Sequence, residues 1–242
     1  MTDGAYSPAE LMAVALARSF RDGEVVVMGA VPALPLAASR LAKELHAPSL
    51  SYLVGGSGTV NPGLEELTSQ SCDPRLAGGP CALPLHEVVL LEGRGDALDV
   101  FCAGGLQIDA YGNCNLVGVG DYERPKLRGP GSVGLPFLTA VQRVVAYTFA
   151  HSPRTFVERV DFVSGSGALT DLVVTPLALL DVDPESRRLR LASVHPGVAV
   201  SDVQEKTGFE LIVPDAVPET APPTEAELAA LRRLDPTRVL AA

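Results

Sequence analysis

A succession of short apolar runs, each closed by glycines, limits what this chain can fold into. Glu24-Val25-Val26-Val27-Met28 reads as a buried strand, followed by a loop holding Gly29, Pro32 and Pro35. Ser49 to Val54 is a second strand and runs straight into Gly55-Gly56-Ser57-Gly58, with a helix over about Leu36 to Leu45 between the two. Strand, helix, strand is the order of a parallel α/β unit, and open α/β sheets bind ligands beyond the carboxyl ends of their strands. The loops after Met28 and Val54 are therefore the first candidates for a site. Asp99 to Ala103 repeats the pattern and ends in Gly104-Gly105, while Val157 to Val163 reads as a strand opening into Ser164-Gly165-Ser166-Gly167. A single glycine loop is ordinarily a tight connection. Three after three strands point to backbone amides placed close to a ligand, as in the binding of an oxyanion.

Around these loops, Ser7-Pro8-Ala9-Glu10 forms a capping box that opens a helix to about Asp22, stopped by Gly23. Arg143 to Phe149 is a further strand. Leu177 to Val182 and Arg188 to Val194 make a hairpin across Asp183-Pro184-Glu185-Ser186. Ser201 to Thr207 reads as a short helix and Phe209 to Val213 as a strand. Residues 1–213 are expected to form one α/β domain. Residues 214–242 are expected to be a proline-rich linker with a last helix, about Thr224 to Leu234, docked on the domain or on a partner.

Composition narrows the function. Nineteen Lys and Arg stand against 29 Asp and Glu, a net charge of −10, with 5% aromatics and no Trp. That surface repels phosphate backbones and offers few stacking platforms, so nucleic acid is excluded as a partner. Hydrophobic residues reach 47%, so either strands are buried on both faces or a large surface is hidden in a partner. The charge-free run from Leu45 to Leu64 is broken by Pro48, Pro62 and several glycines, so no membrane span is expected; with no secretory signal visible, a cytoplasmic location is. Cys72, Cys81, Cys102 and Cys114 form no C-x-x-C pair and have no histidine at ligand spacing. No metal site is expected, and most of these cysteines read as buried thiols.

Several chemistries fail on the motifs. Ser57 suggests a nucleophile elbow, but Thr59 stands where the pattern needs glycine, and nothing selects among His46, His86, His151 and His195 as its base. No Gly-Lys-Ser/Thr follows the glycine loops, and no G-x-G-x-x-G follows the first strand, so nucleotide hydrolysis and NAD chemistry drop out.

One long stretch carries a resemblance. Gly104-Gly105-x-Gln107-Ile108-Asp109-x-Tyr111-Gly112-Asn113-x-Asn115, followed by Gly120-Asp121-Tyr122-x-x-Pro125-Lys126-x-Arg128, resembles the B subunit of class I CoA-transferases, nearest to the glutaconate type. The likeness continues through Val160-Asp161-Phe162-Val163-Ser164 and Asp202-Val203-x-x-x-Thr207-Gly208-Phe209. It implies a three-layer α/β sandwich with a mostly parallel central sheet, the class I CoA-transferase (NagB/RpiA-like) fold. It also implies an A subunit as partner, in a heterodimer assembled as a heterotetramer, and an acyl-CoA substrate.

The chain departs from the family at one decisive place. Transferases that it resembles carry a glutamate after the second strand, which attacks the thioester and holds CoA covalently. Here that position is Gly55. Two branches of the superfamily have left transfer chemistry: a decarboxylase that converts 3-methylglutaconyl-CoA to 3,3-dimethylacryloyl-CoA in isovaleryl-CoA supply, and a hydrolase that opens a steroid-derived ring held as a CoA thioester. The glutaconate-like Gly-Asp-Tyr-x-x-Pro-Lys stretch favours the decarboxylase, working without a cofactor. The alternatives are the hydrolase, a conventional transferase subunit and a non-catalytic scaffold. Expected catalytic positions are Gly55, Gly56, Ser57, Gly104 and Gly105. Expected substrate-binding residues are Gln107, Asn113, Cys102, Cys114, Lys126 and Arg128, the last two for the CoA phosphates. Cys102 or Cys114 is a candidate proton donor beside water.

Overall fold

The computed structural model describes residues 6–132 and 134–241, and the chain gathers into two compact units. Residues 1–102 and 222–242 form the first, and residues 103–221 the second. In the first, helix α1 (Pro8–Ser19) leads to strand β1 (Val25–Met28), helix α2 (Ala33–Leu45), strands β2 (Ser51–Val54), β3 (Thr59–Val60) and β4 (Cys81–Ala82), helix α3 (Leu85–Glu92) and strand β5 (Val100–Gly104). Strand β1 lies between β2 and β5 and is parallel to both, whereas β3 and β4 extend the β2 side in antiparallel fashion. The parallel pairing follows from the α2 crossover, since only a long connection returns a chain to the same end of a sheet.

Local sequence explains the helix limits. The Ser7 hydroxyl accepts from the Glu10 amide at 3.2 Å and the Glu10 carboxylate accepts from the Ser7 amide at 2.7 Å, so the capping box is present. Helix α1 ends at Ser19, short of the predicted Asp22, because buried Phe20 turns to extended backbone. Gly23, at φ 83°, lies in the following turn rather than in the cap. Leu11 to Ala17 are all buried, so this helix is enclosed rather than one-sided. Helix α2 starts at Ala33, three residues before the predicted Leu36, because Pro35 falls in the first turn where a missing amide costs no bond.

The second unit continues with strands β6 (Gln107–Asp109), β7 (Cys114–Asn115), β8 (Gly118–Gly120), β9 (Pro125–Arg128), β10 (Arg143–Tyr147), β11 (Phe156–Val157), β12 (Thr170–Val174), β13 (Ala178–Val182) and β14 (Leu189–Val194), then helix α4 (Val200–Glu205). Here β10 pairs parallel with β12, and β12, β13 and β14 run antiparallel. The predicted hairpin is therefore present. Two predicted strands are not. Of Val157 to Val163 only the first residue is in a strand, because the Val160 and Asp161 amides bond side chains, Asp109 Oδ2 at 3.4 Å and Gln107 Oε1 at 3.1 Å, instead of a ladder. Phe209 to Val213 contributes only an isolated bridge, Arg190 to Ile212.

The chain returns to the first unit with helix α5 (Glu225–Leu234), capped by Thr224 and Glu227. It packs on α1 and α2 through buried Leu228, Leu231 and Leu234. Ion pairs rim the contact, from Arg18 to Glu227 at 2.7 Å, Arg232 to Glu10 at 2.7 Å and Arg233 to Glu44. Burial carries most of the energy, since exposed ion pairs contribute little. Leu231→Ala, at a side chain 1% exposed, is expected to destabilise the protein by about 2–5 kcal/mol. Arg232→Ala, at an exposed ion pair, is expected to leave the melting temperature nearly unchanged, and thermal unfolding of the two variants checks the difference.

Candidate functional site

The site in the first unit lies at the carboxyl ends of β1 and β2. Met28 is in register with Val54, so these two strands end level, and on its other side Met28 pairs with Cys102 of β5. The Gly55 amide donates to the Met28 carbonyl at 3.0 Å, which draws the turn after β2 onto the end of β1. The Gly58 amide donates to the Val54 carbonyl at 2.9 Å, and the Ser57 hydroxyl donates to that carbonyl at 3.3 Å while accepting from the Thr59 amide at 3.3 Å. Of the four turn amides, those of Gly56 and Ser57 have no partner among the described residues. These two are the donors available to an oxyanion; Gly55, expected to supply one, does not.

The turn is held so closely that glycine is required in it. A Cβ on Gly56 would overlap the Ser71 hydroxyl, and one on Gly58, at φ 68°, would overlap the Leu83 carbonyl. The 71–72 segment links the loop after β1 to the turn after β2, with the Ser71 amide donating to the Ala30 carbonyl at 3.3 Å and the Cys72 thiol to the Gly56 carbonyl at 3.7 Å.

Sequence reasoning missed Glu92, the last residue of α3. It is 6% exposed, and Val88 and Glu92 are the two buried residues of that helix, four apart on one stripe. Its Oε1 stands 3.4 Å from where a Cβ on Gly55 would lie, and the Met28 carbonyl 3.1 Å from the same point. Its carboxyl group has no hydrogen-bond partner among the described residues, and burial pushes its pKa up to about 7. A carboxylate at a helix C-terminus also faces the negative end of the dipole, which favours the neutral acid further. The readable signal was an acid on the inward stripe of an apolar helix, Leu85-His86-Glu87-Val88-Val89-Leu90-Leu91-Glu92.

In the second unit the glycine-rich motif is chiefly scaffold. Asn115 Nδ2 donates to Gln107 Oε1 at 2.7 Å and to the Gly118 carbonyl at 2.8 Å, and Gln107 Nε2 donates to Asp161 at 3.2 Å. Asn113 Nδ2 donates to Asp109 at 3.0 Å, and its Oδ1 accepts from the Gly167 amide at 2.8 Å. Gln107 and Asn113, expected at the substrate, thus have their polar atoms bonded within the fold. A Cβ on Gly105 would meet the Gln107 carbonyl at 2.9 Å, which explains the second glycine of the pair; Gly104 closes β5 beside the Tyr147 carbonyl.

The cysteines divide two and two: Cys72 and Cys81 are exposed, Cys102 and Cys114 buried. The expectation that most are buried is corrected to half. Burial, with Asp109 beside it, pushes the Cys114 thiol up to about 12, and the group is fully enclosed, so it does not meet substrate or serve as proton donor. Cys102 is 1% exposed, which withdraws it in the same way.

Lys126 and Arg128 are exposed on one face of β9, with Arg128 stacked 5.5 Å from the Tyr122 ring, and remain accessible to an anion. Both ring nitrogens of His151 are bonded, to Thr175 at 2.9 Å and Thr207 at 3.0 Å, and those of His195 to Thr220 at 3.0 Å and the Thr175 carbonyl at 2.8 Å. Among the described residues Ser57 bonds no histidine, which removes the hydrolytic triad. Among the same residues no cluster of three His, Cys, Asp or Glu is placed to hold a metal, and no helix is long and apolar enough to cross a membrane.

The Coenzyme A transferase family profile matches residues 9–206, most of the chain. The chain belongs to that family. It is 33% identical to the B subunit of 3-oxoadipate CoA-transferase from Pseudomonas knackmussii, over 96% of this chain and 94% of that protein. It is 30% identical to the cholesterol ring-cleaving hydrolase IpdB subunit of Mycobacterium tuberculosis, over 94% of each. Among solved structures, the decarboxylase AibA/AibB superposes with a TM-score of 0.88 at 27% identity, covering 97% of both chains. The α/β fold with a large mixed, mostly parallel sheet is thus that of the family. Within one family and one fold these relatives carry three chemistries, so residues at the site must decide among them.

Asn115→Ala is expected to lower stability by about 1–3 kcal/mol, since it strands buried Gln107 and the Val117 amide. Lys126→Ala, on the exposed strand, is expected to leave the melting temperature unchanged and raise KM for an acyl-CoA. Calorimetry beside steady-state kinetics of the assembled enzyme separates the two.

Proposed function

We propose that this chain is the B subunit of a cofactor-independent decarboxylase that converts 3-methylglutaconyl-CoA to 3,3-dimethylacryloyl-CoA, active only with a homologous A subunit. The observation that carries this reading is Gly55. The position that the resemblance assigns to the covalent glutamate has no side chain, so the route through a glutamyl thioester has no carrier. The likeness to the AibA/AibB decarboxylase supports it.

The chemistry suits the residues. Cleavage of the bond between the γ carbon and the distal carboxyl releases carbon dioxide, and the electron pair spreads through a dienolate to the thioester oxygen. A proton from water at the γ carbon then completes the product. The barrier lies in making the dienolate, so donors aimed at the oxygen are the means of catalysis. The unpartnered Gly56 and Ser57 amides are available for that role. Absence of a glutamate at position 55 also removes a negative charge that would oppose both the substrate carboxylate and the developing oxyanion.

An A subunit as partner accounts for an exposed apolar surface. Relatives and structural neighbours are subunits of two-component enzymes. Leu85 and Leu90 of α3 are 68% and 66% exposed, which an isolated chain does not favour. We assign the exposed surface of this helix to the partner, in a heterodimer that pairs into a heterotetramer, with Lys126 and Arg128 available to the CoA phosphates.

Co-expression of both subunits and assay of carbon dioxide release from 3-methylglutaconyl-CoA tests the proposal. Absence of release, with CoA exchange onto acetate instead, overturns it in favour of a transferase; incorporation of oxygen from labelled water into a ring-opened thioester overturns it in favour of the hydrolase. Gly55→Glu is expected to slow carbon dioxide release by at least about tenfold, because the new carboxylate enters the same space as Glu92. Gain of CoA exchange by that variant identifies position 55 as the lost nucleophile.

A further inference from the structure

Glu92 is a buried acid beside Gly55, the residue that precedes the two unpartnered amides of the β2 turn, and the reaction proposed above gives it no role. Three of its properties converge. Its carboxyl oxygen is 3.4 Å from the empty Cβ position of Gly55, the residue next to Gly56. It is 6% exposed. It has no salt-bridge or hydrogen-bond partner among the described residues. A buried ionised carboxylate without a partner is costly, and the usual resolution is that the group keeps its proton.

The charged groups around it do not reverse this. On its own helix, His86 and Glu87 are exposed, and Arg94, just beyond, pairs with Asp96 at 3.1 Å. β1 brings the Met28 carbonyl to the same Gly55 position and the β2 turn carries no titratable side chain, while on the 71–72 segment the titratable group is the Cys72 thiol, bonded to Gly56. No cation among the described residues raises the acidity of Glu92, and burial accounts for its shift to about 7.

We propose that Glu92, as a neutral carboxylic acid, is the third hydrogen-bond donor of the oxyanion site, joining the Gly56 and Ser57 amides on the thioester oxygen as the dienolate forms. The inference rests on the decarboxylase reading and deepens it. No bond to Glu92 is made or broken; its O–H donates to the oxyanion and the proton stays on the carboxyl. Gly55 is then more than a lost nucleophile. Without a side chain, the position leaves the space through which a carboxyl from another helix reaches the acyl group, and a neutral acid there stabilises the charge that an ionised glutamate would oppose.

The test uses the complete complex with its A subunit, following carbon dioxide release from 3-methylglutaconyl-CoA between pH 5.5 and pH 9, with folding and assembly of each variant checked by circular dichroism and gel filtration. For the wild type, kcat is expected to fall as pH rises through about 7, where the donor ionises. Glu92→Gln keeps a donor that does not titrate, so it is expected to retain kcat within about tenfold and to lose that alkaline fall. Glu92→Ala is expected to lose about 100-fold in kcat with little change in KM. An alanine variant within about threefold of wild type, or a glutamine variant that keeps the alkaline fall, overturns the role of Glu92 and leaves the decarboxylase reading standing. Equal inactivity of both variants, together with a CoA thioester trapped on Glu92 in the wild type, also overturns it, since the residue is then a nucleophile. Failure of the wild type to release carbon dioxide overturns the decarboxylase reading itself, and the proposed role with it.

Discussion

The bond from the Gly55 amide to the Met28 carbonyl is the contact on which the site depends. It joins the turn after one parallel strand to the end of the next, and in doing so it occupies one turn amide and leaves two others free. Every other feature is arranged around that closure. Ser71 fills the space beside Gly56, Leu83 approaches Gly58, and α3 brings Glu92 to the space that Gly55 leaves open. A larger residue at 56 or 58 would push the turn off the sheet edge, and the free amides would move with it.

A similar distinction separates scaffold from chemistry in the second unit. Its most recognisable stretch, from Gln107 to Asn115, is rich in amides that look ready for a ligand. Its polar atoms instead bond one another, the 160–161 backbone and the Gly167 amide, holding together a small sheet too short to be stable on backbone ladders alone. A motif can therefore identify a family and still be silent on catalysis, because the geometry needed to hold a fold is kept more rigidly than the chemistry done on it.

Electrostatics follows the same division. Two ion pairs of the first unit, Arg18 with Glu227 and Arg232 with Glu10, rim the α5 contact, which apolar burial holds. Around the β2 turn the groups that approach the glycines are the Met28 and Leu83 carbonyls, the Ser71 hydroxyl, the Val88 side chain and the buried acid Glu92, with no cation among them. Such a place suits a reaction whose charge is spread and transient better than one that needs a lasting carboxylate nucleophile.

The sequence by itself determined the parallel unit, the helix cap at Ser7, the last helix from about Thr224, the hairpin and the absence of a carboxylate at position 55, since each depends on neighbouring residues or on one residue's identity. It also carried the family, through the spacing of Gly104 to Arg128. It overstated regularity at Val157 to Val163 and Phe209 to Val213, where residues that favour strands do not find a continuous ladder. The tertiary structure alone decided which turn amides stay free, that Gln107, Asn113 and Cys114 are bonded or enclosed within the fold, and that Glu92 meets Gly55 from 37 positions away along the chain. Those outcomes depend on contacts between segments distant in sequence, and neither periodicity nor propensity contains information about which distant atoms fill a given space.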